Sequence, residues 1–316
     1  MSLRRCLICG CPIEDEGALE YHTKCAKTFF GSKRIPVFPY RTSEINELAK
    51  SLVLSRVSVP GVQAKLSVHL EHTDEVDRFT IVGFKGDYIL KLPTATYPEI
   101  IEAEHFGMML SSLCGLKTAE YALVRLESGD FGYLTKRLDR VDGVKHMLDM
   151  CQLTLRDTER KYTGSYEQIA KAIKAMSATS GLDLGEFFNE VVFAYLIGNS
   201  DMHLKNFSML REHNGDWRLA AGYDLLPVKM LMPQDLDELA LNLNGKKKHL
   251  ARKDFAAFAE ACAISSARFD RTLDRFLGVF EKRLPEALAR TFLSDAFKTS
   301  LLESINARMA MFRSLY

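Results

Sequence analysis

The chain lacks what would place it across a membrane, outside the cell or along a nucleic acid. No uninterrupted apolar run approaches the roughly 20 residues that span a bilayer, and Met1-Ser2-Leu3-Arg4-Arg5-Cys6 has no apolar signal core. A cytoplasmic protein with no membrane attachment is therefore expected. An excess of one charge is missing too: 42 basic residues against 41 acidic leave a net charge of +1, which argues against a nucleic-acid coat. No direct nucleic-acid binding is expected, and the Lys246-Lys247-Lys248-His249 run, the densest basic patch, reads first as a solvated loop between helices and second as a phosphate or nucleic-acid contact. Cysteines number seven, an odd count in a chain without a secretion signal, so reduced thiols or metal ligands fit better than a disulfide framework. A Walker A string is absent, which sets P-loop chemistry aside.

What is present is ordinary in bulk and specific in one place. With 316 residues, 47% hydrophobic and 26% charged, the chain can bury a large core and form about two lobes. A strongly apolar, helix-like run over 187–197 is followed by Gly198-Asn199-Ser200-Asp201-Met202-His203-Leu204-Lys205-Asn206-Phe207-Ser208. Asp201 supplies a carboxylate able to accept a proton from an attacking hydroxyl, and Asn206 a neutral oxygen suited to a hard cation such as Mg²⁺. Short strands over 207–211 and 217–221, around the turn His213-Asn214-Gly215-Asp216, would fold Asp224 back beside Asn206. Base, cation ligand, hairpin and second cation ligand, in that order, are the parts of a protein-kinase-like phosphoryl transferase.

The rest of the chain supplies further pieces. Cys6-Leu7-Ile8-Cys9 and His22-Thr23-Lys24-Cys25 put two close ligand pairs within the first 25 residues, a spacing that suits a structural, tetrahedral Zn²⁺. Cys11 is a spare ligand, and a set of reduced cysteines is the competing reading. Pro36 and Pro39 make an extended connector, after which Thr42 or Ser43 can cap a helix running to about residue 54. A small-residue turn over 55–64 then precedes the alternating Leu66, Val68 and Leu70, the place where kinases put the flap that covers ATP phosphates. Strands are expected over 79–82 and 88–92, the second carrying Lys91, which is either a phosphate-binding cation or an edge-strand lysine. A buried lysine needs a partner charge, and a helix over 98–114 offers Glu99, Glu102 and Glu104. Another strand pair, 119–126 and 132–136, leads into Lys136-Arg137-Leu138-Asp139-Arg140. Beyond about residue 150, apolar residues recur at helical spacing over 165–178, 184–197, 253–263, 267–281 and 296–315.

The loop at 198–208, followed by the Tyr223-Asp224 pair, resembles that of the HipA-type serine/threonine kinases, the toxin halves of bacterial toxin–antitoxin systems. The resemblance covers residues 55–315, and a missing N-terminal subdomain makes the chain similar to the shorter HipT-like members. It implies an α+β, two-lobed protein-kinase-like fold. A small Cys/His extension over 1–40 would precede a strand-rich N-lobe over 41–145 and an all-helical C-lobe over 146–316, with ATP in the cleft. It also implies roles. Ser58, Gly61, Gln63 and Lys65 would form the flap, with Ser58 autophosphorylated; Glu104 would orient Lys91 toward the phosphates; Lys136 and Leu138 would bind adenine through their main chain. Asn206 and Asp224 would hold Mg²⁺ and Asp201 would deprotonate the acceptor, while His203 and Lys205 support the loop or neutralise developing charge. The implied partners are an aminoacyl-tRNA synthetase as substrate, a small antitoxin standing in for the missing subdomain, and a helix-turn-helix DNA-binding protein. Two rival readings of the same residues stay open: a small-molecule phosphotransferase of the aminoglycoside or lipid-kinase type, and a non-enzymatic zinc-containing binding module.

Overall fold

Leu66, Val68 and Leu70 form the inward face of β1 (Lys65–His72), whose exposed and buried positions alternate as the sequence pattern requires. The computed structural model describes residues 4–14, 20–44, 63, 65–82 and 85–314. Residues 42–44 begin the expected capped helix, and its remainder lies outside the described residues, as do Ser58 and Gly61 of the flap. By internal contacts the chain divides into two compact units, Met1–Phe106 with Ala119–Val141 and Ala289–Leu293, and Gly107–Thr118 with Asp142–Leu288 and Ser294–Tyr316.

The first unit is built on a five-stranded antiparallel sheet. Strands β2 (Asp77–Ile81), β3 (Tyr88–Lys91), β4 (Tyr121–Arg125) and β5 (Phe131–Lys136) join β1 in the order β2-β1-β3-β5-β4. Lys91 therefore ends the central strand, 3% exposed, and the edge-strand reading is excluded. Helix α1 (Thr23–Phe30) stops at Gly31, whose φ of 74° suits a residue without a Cβ. It buries Phe29 and Phe30 among Tyr21, Phe79 and Tyr88, ring edges meeting ring faces at centroid distances of 4.9–6.1 Å. Helix α2 (Ile100–Leu113) belongs to this unit through Phe106. The returning strap Ala289–Leu293 adds Phe292, which packs on His105 and Phe131, and the Thr291 carbonyl, which accepts from the Arg5 guanidinium.

The second unit is helical around one small sheet. The expected hairpin, β7 (Ser208–Arg211) and β8 (Trp217–Leu219), is joined by a third strand, β6 (Met147–Asp149), in the order β6-β7-β8. An all-helical lobe is thus too narrow a description, because a three-residue strand is too short to show a period in the sequence. Around it lie α3 (Met150–Leu153), α4 (Tyr166–Met176), α5 (Ser180–Ile197), α6 (Val228–Leu231), α7 (Arg252–Ala261), α8 (Ser266–Arg290) and α9 (Asp295–Arg313). Helix α5 is apolar on nearly all sides and is buried accordingly, from Phe187 through Ile197. Helix α8 continues past the expected stop at 281, through Pro285. The proline removes one backbone bond at a cost of about 3 kcal/mol, but Phe280, Leu284 and Ala287 on the same face stay buried and offset it. Among the described residues, no helix is long and apolar enough to cross a membrane.

Candidate functional site

The catalytic-loop residues meet because α5 ends abruptly. Gly198 takes the left-handed conformation, φ 73°, and turns the chain into the loop. Asn199, fully buried, then ties two distant backbones together: its amide nitrogen donates to the Asp224 carbonyl at 3.0 Å, and its Oδ1 accepts from the Asp201 N–H at 3.3 Å. After a short turn, Leu204–Asn206, the Asn206 amide nitrogen donates to Asp224 Oδ2 at 3.1 Å, while its Oδ1 accepts from the His203 N–H. An amide oxygen has two lone pairs, so Asn206 keeps one for a cation beside the Asp224 carboxylate. Asp224 itself sits at φ 56°, an uncommon conformation for a residue with a side chain. Its neighbour Tyr223 gives its single hydroxyl proton to the Lys205 carbonyl, so the 2.6 Å contact with Ser208 has the serine as donor. The structure therefore brings Asp201, His203, Asn206 and Asp224 together, all within the second unit.

Two of the loop's basic groups are already committed. His203 is 6% exposed, and burial holds it down to about 4, which favours the neutral imidazole at pH 7. Support of the loop is the role its position allows. The Lys205 ammonium bonds Asp149 Oδ2 at 2.7 Å, and Asp149 also caps α3 by accepting from the Gln152 N–H. Tyr162 donates its hydroxyl to Asp201 Oδ1 at 2.6 Å and sets its ring edge-on to His203. Asn199, Asp149 and Tyr162 were not picked out from sequence. Asn199 lies in the polar run itself, and Asp149-Met150-Cys151-Gln152 carries a readable capping box, but nothing local marks Tyr162.

In the first unit, Lys91 Nζ lies 2.5 Å from Glu104 Oε1, their side chains 4% and 2% exposed. Of the three candidate acids, Glu99 lies just before α2, and of Glu102 and Glu104 on the helix it is Glu104 that is fully buried; the Lys91 ammonium also stands over the Tyr133 ring at 5.4 Å. Lys65 pairs with Lys91 across the β1–β3 ladder, and the Gln63 side chain donates to the Leu92 carbonyl. The Lys136 N–H donates to the Glu120 carbonyl, so the main-chain donor expected there is engaged, and its ammonium bonds Glu120 Oε2 at 2.8 Å. Leu138 opens a short turn, Leu138–Arg140.

Cys6, Cys9, His22 and Cys25 form one cluster in which all ligand atoms lie within 4.8 Å of one another. His22 Nδ1 is 3.4 Å from Cys9 Sγ and 3.7 Å from Cys25 Sγ, close to the edges of a tetrahedron drawn around an ion with Zn–S bonds of about 2.3 Å. Its other nitrogen, Nε2, bonds the Pro12 carbonyl at 2.9 Å, which fixes Nδ1 as the free lone pair. The Cys6 thiol is held down to about 4, chiefly by the hydrogen bond with Cys9, and the donor set suits a borderline-soft divalent ion.

The fold is a mixed α+β, kinase-like one. Residues 57–284 match the HipA-like C-terminal domain, and the chain belongs to that family. It is similar to "Putative kinase Y4dM" of Sinorhizobium fredii, 32% identical over an alignment of 260 residues that covers 73% of this chain and 62% of that protein. The chain thus spans about 62% of the length of that relative. A Haemophilus influenzae protein described as "Putative kinase" is 26% identical over an alignment of 291 residues that covers 82% of each chain. Among solved structures, a chain of the toxin–antitoxin complex of Shewanella oneidensis MR-1, which contains HipA, HipB and operator DNA, superposes with a TM-score of 0.69. That match covers 95% of this chain and 74% of the other at 18% identity, a likeness of fold.

Proposed function

We propose that the chain is an ATP- and Mg²⁺-dependent kinase that phosphorylates a serine or threonine of a protein and acts as the toxin of a bacterial toxin–antitoxin pair. The observation that carries this reading is the Asn206 amide 3.1 Å from the Asp224 carboxylate, with Asn199 tying Asp201 to Asp224. Asn206 and Asp224 would hold Mg²⁺ through hard oxygen donors. Bound there, Mg²⁺ supplies charge neutralisation for the phosphates. Asp201 takes the proton of the acceptor hydroxyl through the oxygen that Tyr162 leaves open. His203 props the loop, and Lys205 is steadied by Asp149. Lys91, oriented by Glu104, binds the α- and β-phosphates under a flap that contains Ser58, Gly61, Gln63 and Lys65, and the Leu138 main chain reads the adenine edge. Cys6, Cys9, His22 and Cys25 hold a structural Zn²⁺.

The HipA relative's assembly with HipB and operator DNA supports an antitoxin partner for this chain. The partners proposed are a small antitoxin and a helix-turn-helix protein, and the proposed substrate is an aminoacyl-tRNA synthetase. Intact-mass and peptide measurements after incubation with Mg²⁺-ATP test the reading. One added phosphate on the Ser58 peptide is expected, lost in Asp201→Ala and Asp224→Ala while circular dichroism is unchanged. Undiminished transfer in either variant overturns it, and phosphate appearing only on an aminoglycoside-type hydroxyl moves the chain to the small-molecule phosphotransferases.

A further inference from the structure

The Cys/His cluster and helix α2 are joined at one pair of atoms. His105, the residue after Glu104, is fully buried, and its Nε2–H donates to the Ile8 carbonyl at 2.9 Å. Ile8 stands immediately before Cys9 in the Cys6-Leu7-Ile8-Cys9 turn. The adjoining Leu7 carbonyl accepts from the Leu123 N–H of edge strand β4 at 2.8 Å. Tyr21, immediately before His22, donates its hydroxyl to the Leu123 carbonyl at 2.9 Å. Gly10, at φ 69°, lies so close to the strap that a Cβ there would collide with the Arg290 carbonyl. The cluster is thus fastened by its backbone to the helix that carries Glu104, to one edge of the sheet, and to the strap.

Backbone bonds trace the turn, from the Cys6 N–H to the Cys11 carbonyl, Leu7 to Glu20, Gly10 to Cys6 and Ile13 to Arg4, but they leave the four ligand side chains unfixed relative to one another. Among the described residues, 4–14 form no helix and a single bridge, Arg5 to Pro12. Three thiols and an imidazole converge where only weak sulfur hydrogen bonds link them, whereas a tetrahedral ion would fix all four at once. Whatever fixes the turn also fixes the Ile8 carbonyl, and a buried histidine whose acceptor moves away must either follow it or lose its bond. Helix α2 would move with it, and Glu104 lies one residue away, 2.5 Å from Lys91.

We propose that occupancy of the Cys6, Cys9, His22 and Cys25 site by a metal ion sets the position of helix α2 through His105, so that the Lys91–Glu104 pair is formed when the site is loaded and loosened when it is stripped. His105 is a positioning residue: it touches neither nucleotide nor metal. The coupling of metal to helix stands on the geometry above, and only its consequence for nucleotide binding rests on the kinase reading.

The test uses the full chain and Zn²⁺. The purified protein is expected to carry about one Zn²⁺. Chelation in the presence of a thiol reductant should speed amide hydrogen exchange over 100–106 by about tenfold or more, with exchange in α7 unchanged, and should weaken ATP affinity by a similar factor. His105→Leu should retain Zn²⁺ yet reproduce both effects, and His105→Gln, which can still donate to the Ile8 carbonyl, should restore protection. A protein that binds no Zn²⁺, exchange over 100–106 that ignores chelation, or a His105→Leu variant as protected as the parent would each overturn the proposal. Coupled exchange in a chain that never binds ATP would instead leave the metal-to-helix link standing and remove the kinase reading.

Discussion

The Tyr162 hydroxyl stands 2.6 Å from Asp201 Oδ1 and donates to it. Burial first, and then this bond, push the phenol above its ordinary range, so the proton stays on the tyrosine and the aspartate keeps one oxygen for another donor. The ring also meets His203 edge-on at 5.0 Å, and the Lys161 carbonyl accepts from the Leu204 N–H. Tyr162 thereby locks the orientation of the proposed base from outside the catalytic loop.

Tyr162→Phe keeps the ring and removes the bond. Phosphate transfer should fall about tenfold in kcat with little change in KM for ATP, because a hydrogen bond to a charged group contributes about 1.5–3 kcal/mol and this one is half-exposed. Steady-state kinetics checks this, and a rate equal to the parent's would show that Asp201 is held by other means.

Lys91 and Glu104 form an ion pair taken almost completely out of water. Removing one partner takes a close counter-charge from a buried ion, so Lys91→Met or Glu104→Leu should each destabilise the chain by about 3–5 kcal/mol. The double variant should recover most of that loss, since the two charges leave together, while remaining unable to bind ATP. Urea unfolding of the three variants separates stability from binding.

Glu190, on α5, is 6% exposed, and among the described residues its Oε1 has no hydrogen-bond partner. Burial first, and Glu186 second, hold its carboxyl up to about 8. Between about 4.5 and 8 the folded chain keeps a proton that the unfolded chain has released, so stability falls as pH rises through that window and levels off above it. His203 acts in the opposite sense at lower pH: its folded value of about 4 lies below 6.5, so its contribution is present above 6.5 and lost as pH falls toward 4. From 6.5 to 8 the histidine is silent, but Cys6, held down to about 4 when folded, adds a rise of its own, so Glu190 is isolated by the difference between the parent and a Glu190 variant. Glu190→Gln should remove a decline of about 2 kcal/mol across that range, read from urea midpoints, and an unchanged slope would contradict the burial argument.

Gly222 lies two residues before Asp224, and a Cβ there would fall 2.8 Å from Glu190 Oε1. Gly107, on α2, approaches the Leu225 carbonyl closely enough that a Cβ would collide with it. Alanine at either position should cost about 1–3 kcal/mol and displace Asp224. Thermal melts would record the first effect and loss of Mg²⁺-dependent ATP binding the second.

Much of this arrangement could be read from residue order, and the reason is locality. The loop 198–208 concentrates a helix stop, a carboxylate and an amide in one stretch, so the convergence of Asn206 with Asp224 needed only a hairpin, which β7 and β8 supply. The alternation in β1 was legible for the same reason, whereas Lys91 stood between a buried cation and an edge-strand lysine until the strand order decided it. Contacts across long separations left no mark. Tyr162 reaches Asp201 over 39 positions, Lys205 reaches Asp149 over 56, and His105 reaches Ile8 over 97. Each of these side chains has an ordinary surface or core reading in its own neighbourhood. Helix α8 shows the converse error: Pro285 is a strong local stop signal, and the burial of Leu284 and Ala287 overrides it.

The strap Ala289–Leu293 belongs to the first unit, though its neighbours on both sides belong to the second. During synthesis the sheet can pair long before this pentapeptide leaves the ribosome, yet Phe131 and His105 must wait for Phe292, and Arg5 for Thr291. The half of the molecule that is translated first is finished nearly last, and a nascent chain halted short of residue 289 holds that half with one wall missing.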